Sequence, residues 1–376
     1  MGPLEGIKIL EIGGIGPGPF AGMMLADMGA EVISVERKSG PNQMRLPDCS
    51  RRGKRSISLN LKSPEGIETL LKFVEKCDVL FEGFRPGVME RLGIGPEDCL
   101  ARNSKLIYGR MTGWGQTGPL SSAAGHDINY IALTGALYAM GRPNENPVPP
   151  LNLVGDYGGG AMFLITGILA ALLEVQKSGE GQVIDVAMTD GSAVLMGLFN
   201  SLTAMGLWSS DRGSNLLDSG AHFYDTYKTK DAKYVSIGSI EPKFYHLLIK
   251  KVGLDKESFK GQMNKTKWSI LKADLAAAIL TKSQKEWCDI MEGTDVCFAP
   301  VLDLNEAQSH PHNIARNTYI DVDGMTQPAP APRFSRTKSE VRHGSRIAGE
   351  DTYEVLEEYG FIEEEILSLK DKGAIN

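Results

Sequence analysis

Apolar runs of strand length alternate with amphipathic segments through the N-terminal half of the chain. The runs "GIKILEI", "AEVISVE", "DVLFEGF" and "SKLIYGRM" are rich in β-branched and apolar residues. Between them, "SPEGIETLLKFVEK" has Ser63 at a helix N-cap position and Pro64 at the first helical position. This alternation predicts an α/β fold in which helices cover both faces of a parallel sheet. Ligands would then bind beyond the carboxyl ends of the strands, in loops 13–19, 37–41, 84–87 and 112–130.

The pattern changes in the second half of the chain. A long apolar segment, "YGGGAMFLITGILAALLEVQ", follows Asp156. Its apolar part is shorter than the ~18–20 residues of a membrane span, so it predicts a buried helix. Further on, "HFYDTYKTKDAKYVSIGSI" predicts a β-hairpin, and Ser283 with Glu286 forms a capping box at a helix start. We therefore predict a large domain over 1–187 and 328–376, linkers over 188–220 and 300–327, and a small α+β domain over 221–299.

Composition narrows the classes of function. The 376 residues carry a net charge of −7, and the sequence pI is near 5.5. This argues against nucleic acid or a membrane surface as the partner. Five scattered cysteines without C-x-x-C spacing argue against a disulfide framework and against a zinc site. Because the N-terminus also lacks a signal-peptide pattern, we expect a cytoplasmic, reducing location and no bound metal.

The glycine-rich loop "GPGPFA" at 16–21 matches the G-x-G-x-x-A pattern of dinucleotide-binding folds. Glu36 ends the next strand, where a ribose-binding acid belongs. However, backbone N–H groups hold a pyrophosphate at such a helix start, and Pro17 and Pro19 have none. The sequence therefore favours a tight turn, with Pro19 near the first helical position, over a site for NAD.

Several basic residues could bind a phosphate-bearing ligand. Arg37, Lys62 and Arg85 follow apolar strand segments directly, which favours them as anion contacts. The run "RRGKR" and Arg91 fit such a site too, but a charge run is more often a solvated face.

Two ionisable residues in glycine-rich surroundings are candidates for proton transfer. His126 has an unperturbed pKa near neutrality, and the local sequence supports a catalytic histidine and a buried core histidine equally. Asp156 could simply cap the apolar helix. The adjacent glycines 158–160 weaken that interpretation, because they favour close approach of other backbone. Glu241 is most simply a helix-terminal acid, and alternatively an orienting partner for a catalytic base.

Long motifs of the chain resemble a known family. "GHDINY", "GRMTGWGQTGP", "PLNLVGDYGGG", "GKRSISLNLK", "FRPGVMERLGIGP" and "GAHFYDTY" are similar to the α-methylacyl-CoA racemase family of the family III CoA-transferase superfamily. The resemblance runs from "PLEGIKILEI" to "APRFSRT". It implies a Rossmann-like large domain completed by the C-terminal segment, plus a small domain. It also implies an interlocked homodimer whose active site is shared between subunits.

The resemblance also implies roles for individual residues. His126 and Asp156 match the two proton carriers, and Asp127 and Glu241 match supporting acids. The predicted contacts to the CoA thioester are Arg37, Leu59, Asn60, Leu61, Lys62, Gly83, Arg85, Arg91, Gly125, His126, Asp127, Ile128, Asn129 and Tyr130. No metal or organic cofactor is implied, because CoA is part of the substrate.

The predicted reaction is epimerisation of a 2-methylacyl-CoA thioester at its α-carbon through an enolate, with one proton carrier on each face. Asp156 then needs a raised pKa, so burial must outweigh the helix dipole. A CoA-transferase with Asp156 as its nucleophile is the nearest alternative. An NAD-dependent oxidoreductase built on the glycine loop and a catalytically silent CoA-binding protein are more remote.

Overall fold

The computed structural model describes residues 2–37 and 47–375. The strands, in chain order, are β1 Lys8–Ile12, β2 Glu31–Glu36, β3 Arg55–Ser58, β4 Val79–Glu82, β5 Ile107–Thr112, β6 Gln182–Ala187, β7 Tyr224–Lys228, β8 Tyr234–Gly238, β9 Phe298–Val301, β10 Tyr319–Val322 and β11 Met325–Pro328.

The helices, in the same order, are α1 Pro17–Asp27, α2 Pro64–Val74, α3 Val88–Arg91, α4 Pro96–Arg102, α5 Asp127–Leu133, α6 Ala136–Ala139, α7 Met162–Ser178, α8 Met188–Leu195, α9 Gly197–Ala204, α10 Pro242–Val252, α11 Trp268–Ile279, α12 Gln284–Met291, α13 Leu304–Ser309, α14 Pro311–Ala315, α15 Thr352–Glu358 and α16 Glu363–Asp371. A π-helical segment, Leu153–Ala161, leads directly into α7.

The chain divides into two compact units. Unit 1 comprises residues 1–134, 151–195 and 319–376, and unit 2 comprises 135–150 and 196–318. Residues 188–220 and 300–327, which the pattern left as linkers, contain α8, α9, α13, α14 and β10, and part of β11. The domain boundaries drawn from sequence stay a prediction.

Unit 1 is built on a parallel six-stranded sheet, which confirms the predicted α/β class. Its strand order is β3-β2-β1-β4-β5-β6, and every neighbouring pair in it is parallel. Apolar side chains bury both faces of the sheet, such as Leu10 and Leu80 on one and Ile9 and Val79 on the other. The order reverses between β1 and β4, so a crevice is expected outside their carboxyl ends.

Edge strand β3 did not stand out in the sequence, because its residues, "RSIS", are mostly polar. Its free edge is covered by the C-terminal segment. The Ser56 N–H donates to Asp351 Oδ2 (2.8 Å), and the Ser58 N–H donates to Thr352 Oγ1 (3.0 Å). These bonds satisfy an edge that would otherwise be open to pairing with another chain.

The basic run "RRGKR" is not a solvated face, so that interpretation is wrong. Two of its residues are buried in ion pairs. Arg52 and Lys54 are only 2% and 3% exposed. Arg52 pairs with Asp27 (2.6 Å), and Lys54 pairs with Glu11 (2.7 Å). Buried cations need such partners, because an unpaired buried charge is strongly destabilising.

Helix α7 differs in part from the predicted buried helix. Leu164, Ile165 and Ile168 on one face are buried, whereas Met162 and Leu173 on the other are 41% and 63% exposed. By length and composition alone, Leu153–Ser178 could cross a membrane, a test that core helices of soluble proteins also pass. Its apolar outer face is therefore open to a partner.

Unit 2 holds the antiparallel sheet β7-β8-β9, whose first two strands are the predicted hairpin. Helices α10, α11 and α12 contribute Leu248, Leu275 and Trp287 to one apolar core with this sheet. The predicted capping box is present, since Ser283 and Glu286 exchange backbone-to-side-chain hydrogen bonds at the start of α12.

Candidate active site

A cavity of about 520 Å³ lies in unit 1 at the carboxyl ends of β1, β4 and β5. The loop 13–16, the start of α1 and residues 83–86 form part of its wall, as expected for the crevice where the strand order reverses. His126 and Asp156 both line it. The fold thus brings the two predicted proton carriers to one cavity from separate elements.

His126 is exposed at the N-cap of α5, so its interpretation as a buried core histidine is wrong. Its backbone is extended, and its N–H donates to Asn129 Oδ1 (3.1 Å). Within residues 2–37 and 47–375, the imidazole has no hydrogen-bond partner. Both ring nitrogens are therefore available for proton transfer.

Asp156 lies inside the π-helical segment, and Asn152 is its N-cap. The interpretation of Asp156 as a simple N-cap is therefore wrong. Its carboxylate Oδ2 accepts a hydrogen bond from Asn152 Nδ2 (3.3 Å). π-helical turns are rare, and they are frequent at functional sites.

The glycine loop after β1 contacts Asp156 directly. Gly16 has φ 72°, and a Cβ added there would lie 3.2 Å from Asp156 Oδ2. The positive φ favours glycine at this position, and a larger side chain would crowd the Asp156 carboxylate. The predicted tight turn is present, but Pro17, rather than Pro19, occupies the first helical position of α1. Phe20 also stacks on Tyr157 (ring centroids 4.3 Å apart), which fixes α1 against the π-helical segment.

Burial raises the pKa of the Asp156 carboxyl. The hydrogen bond from Asn152 lowers this pKa, the nearby charge of Asp127 raises it, and His126 lowers it, but burial has the largest effect. The pKa of Asp156 therefore moves in the predicted direction, upward, and the balance between burial and the helix dipole stays a prediction. A raised pKa makes a protonated Asp156 accessible nearer neutral pH.

Asp127 holds the backbone of Asp156. It is 7% exposed, and its Oδ2 accepts the backbone N–H of Asp156 at 2.7 Å. Its other oxygen, Oδ1, is buried without a partner among the described residues. Asp127 is therefore placed to position Asp156 and does not line the cavity itself.

Glycines allow close packing around both proton carriers. A Cβ on Gly125 would lie 2.7 Å from the Tyr130 ring, whose hydroxyl donates to the Gly125 carbonyl. Gly159 meets helix α8, with Ser192 Oγ 2.5 Å from an added Cβ, and Gly191 of α8 packs on the Gly159 backbone. The glycine run next to Asp156 thus reflects close backbone approach, as predicted.

The predicted CoA contacts fall into two groups. Gly83, Arg85, Gly125 and Tyr130 line the cavity with His126. The remainder lie outside its lining: Arg37, Leu59, Asn60, Leu61, Lys62, Arg91, Asp127, Ile128 and Asn129. Arg37 follows β2, and residues 59–62 follow β3. They therefore lie, like the cavity, at the carboxyl ends of the strands. Their contact with CoA stays a prediction.

Glu241 lies in unit 2 at the N-cap of α10, where its carbonyl accepts the Phe244 and Tyr245 N–H groups. Its role toward His126 also stays a prediction. Sequence reasoning missed Asn152, although its spacing of four residues before Asp156 is one at which helical side chains meet.

No group of three or more His, Cys, Asp or Glu side chains within the described ranges could hold a metal ion.

The chain is similar to known proteins over nearly its whole length. The model of CoA-transferase family III matches residues 4–352. Mouse alpha-methylacyl-CoA racemase is 48% identical over 369 residues, covering 97% of this chain and 96% of the mouse protein. The human alpha-methylacyl-CoA racemase is 43% identical, covering 99% and 97%. A crystal structure of a CaiB/BaiF family protein from Brucella suis matches with a TM-score of 0.81 and 25% identity, covering 95% and 99%.

Proposed function

The chain belongs to CoA-transferase family III, and on that premise we propose that it interconverts the R and S epimers of 2-methylacyl-CoA thioesters. The observation that carries the proposal is the pair His126 and Asp156, which reach one cavity from different elements. Inversion at a carbon needs one proton carrier on each face. The two racemases from mouse and human support this choice over other reactions of the family.

The proposed reaction is a 1,1-proton transfer. Neutral His126 removes the α-proton of the S epimer, and protonated Asp156 delivers a proton to the opposite face of the enolate. The R epimer uses ionised Asp156 and the imidazolium of His126. The raised pKa of Asp156 supports this scheme, because the carboxyl must hold a proton in one direction and release it in the other.

The enolate oxygen needs hydrogen-bond donors. The first N–H groups of a helix have no intrahelical partner, and α5 begins directly after His126 with Asp127 and Ile128. We propose that these N–H groups, or those at the start of the glycine-rich segment after Asp156, hold the enolate oxygen, because fixed dipoles aimed at developing charge stabilise such intermediates. The scheme requires no metal and no organic cofactor.

Deuterium exchange tests this function against CoA transfer with Asp156 as nucleophile. The racemase should incorporate solvent deuterium at the α-carbon of a 2-methylacyl-CoA without any acceptor acid. Acyl transfer to an added carboxylic acid, with no deuterium incorporation, would refute the proposal. The His126→Ala variant should lose exchange of the S epimer most severely, whereas a transferase needs no second proton carrier. The same assay with Glu241→Gln tests whether Glu241 orients His126.

The homodimer with a shared active site belongs to the same proposal. The outer face of α7 supports it, since Met162 and Leu173 are apolar and exposed. A second copy would cover this face, and Leu173→Glu should then favour the monomer in light scattering. A monomeric wild-type chain with full exchange activity would refute the dimer.

The five free thiols are consistent with the proposed cytoplasmic location.

A further inference from the structure

We propose that a chain of three charged residues, Glu82–Arg110–Glu90, positions the segment 83–91 so that Arg85 and Arg91 can bind the phosphates of CoA. This inference rests on the proposed function, because it takes a CoA thioester as the ligand. It gives Glu82, Arg110 and Glu90 a role in binding, separate from proton transfer at His126 and Asp156.

Glu82 holds the start of the segment. It is the last residue of β4 and is only 1% exposed. Its Oε2 accepts the Phe84 N–H at 2.6 Å, and its Oε1 accepts Arg110 Nε at 3.1 Å. The carboxylate therefore links the first turn of the segment to the neighbouring strand β5.

Arg110 carries the connection to the end of the segment. Its Nη1 and Nη2 donate to Glu90 Oε1 and Oε2 at 2.7 and 3.3 Å. Glu90 lies in α3, one residue before Arg91, and Gly95 leaves room for it, since a Cβ there would be 2.9 Å from Glu90 Cγ. A single guanidinium thus fixes both ends of the segment against the sheet.

The two arginines carried by the segment remain available for an anion. Arg85 and Arg91 are exposed, and neither pairs with an acid in the part of the chain that the structure describes. Arg85 also lines the cavity that contains His126 and Asp156. Guanidinium groups suit phosphate because they present several donors in a fixed plane. Fixing the backbone between them reduces the ordering that binding would otherwise require.

The three charged residues Glu82, Arg110 and Glu90 also make CoA binding depend on pH. Burial raises the pKa of Glu82 to about 7, although the Phe84 N–H and Arg110 act against it. The other charged or titratable groups facing Glu82 are Glu90, on α3, and Tyr108, on β5. Glu82 is ionised above this pH and holds both donors fully. As the pH falls through about 7, it gains a proton and the link weakens.

The test uses CoA itself as the probe, with the full-length chain and isothermal titration calorimetry. In Glu82→Gln, the side-chain amide NH2 faces the Phe84 N–H or the Arg110 guanidinium, which are both donors. Arg110→Lys has one nitrogen in place of the three that contact Glu82 and Glu90. We expect each variant to bind CoA about tenfold more weakly, and to raise KM in the deuterium assay by a similar factor with kcat within about twofold. The matched control is Arg102→Lys, because Arg102 bridges Glu68 and Glu75 (2.7 and 2.8 Å) between α2 and α4.

A pH series separates positioning from general destabilisation. Wild-type affinity for CoA should rise through pH 7, and Glu82→Gln should lose that inflection while keeping any inflection from the CoA phosphates. If Glu82→Gln fails to fold, Glu90→Gln replaces it in the affinity and KM measurements, because that side chain is 45% exposed. Unchanged CoA affinity in these variants, or a fall in kcat alone, would overturn the inference.

The two proposals fail in different ways. Wild-type protein that binds CoA tightly but incorporates no deuterium would refute the racemase and leave the positioning chain standing. Wild-type and variant proteins that bind CoA equally well would refute the positioning chain alone. A wild-type chain that does not bind CoA would refute both.

Discussion

Gly155 is the position at which one added methyl group tests how Asp156 is held. It is buried in the π-helical segment, next to the backbone N–H that Asp127 accepts. A Cβ there would lie 2.5 Å from Asp127 Oδ2 and 2.8 Å from Asp127 Cγ. Carbon and oxygen atoms do not approach so closely, so Gly155→Ala must displace the Asp127 carboxylate by about 0.7–1 Å.

This displacement breaks the hydrogen bond, because the 2.7 Å contact to the Asp156 N–H would lengthen past hydrogen-bond range. An unpaired buried N–H costs about 1–3 kcal/mol. Alanine in place of glycine within a helix raises the unfolding free energy by roughly 0.5–1 kcal/mol. The net loss of unfolding free energy is thus only about 0–2.5 kcal/mol. A misplacement of Asp156 by about 1 Å, however, can slow proton transfer about 100-fold.

Two measurements on one variant separate these effects. Urea unfolding should show a small change, whereas the rate of deuterium incorporation should fall by one to two orders of magnitude. Gly197→Ala is the control, because a Cβ on that exposed helical glycine meets no atom within 4 Å. In a background of Asp127→Ala, Gly155→Ala should have a smaller further effect, since only the 3.2 Å contact with Ile131 Cγ2 remains. Full exchange activity in Gly155→Ala would refute the proposed positioning of Asp156.

Three further perturbations test the charges and the buried polar groups. Lys54→Met should lower the unfolding free energy by about 3–5 kcal/mol, because it leaves Glu11 buried without its partner, whereas Glu11→Gln with Lys54→Met should cost far less; urea titration measures both. Burial lowers the pKa of His222 to about 4 from 6.5, so the unfolded chain binds the proton first and stability falls by up to about 3 kcal/mol as the pH drops from about 6.5 to 4; an equally steep fall in His222→Gln would contradict this. Asp127→Asn keeps an acceptor but removes a charge that raises the pKa of Asp156, so S-epimer exchange should slow several-fold at neutral pH, and a rate equal to wild type would count against the two-carrier scheme.

The sequence predicted the strands and helix caps that are determined by neighbouring residues. The buried strands β1, β2, β4 and β5 are mostly apolar and rich in β-branched residues. The caps at Ser63 and Ser283 depend on residues no more than three positions away. Strand β3 was missed because its residues, "RSIS", are mostly polar, and the groups that cover its outer edge, Asp351 and Thr352, lie almost 300 positions away. The run "RRGKR" was misjudged because the acids that pair with it, Asp27 and Glu11, lie in other elements, α1 and β1.

The candidate site shows the same division. The residue types at His126 and Asp156 indicated proton transfer, but their meeting in one cavity depends on the tertiary fold. The glycines beside Asp156 indicated close backbone contact, which α8 supplies. The π-helical geometry was not predicted, because no residue type specifies an additional residue per turn. Asn152 was missed although it lies four residues before Asp156, because the sequence did not predict a helix over that stretch.

The opposing influences on Asp156 follow from how its own backbone is held. A helix start lowers the pKa of a nearby carboxyl through its unpaired N–H groups and dipole. At Asp156 the N–H is already paired with Asp127 Oδ2, and the negative charge of Asp127 opposes that field. Burial then decides the direction, and the pKa rises. The carboxylate that fixes the position of Asp156 therefore also adds to the effect of burial, because its charge raises the pKa of Asp156 further.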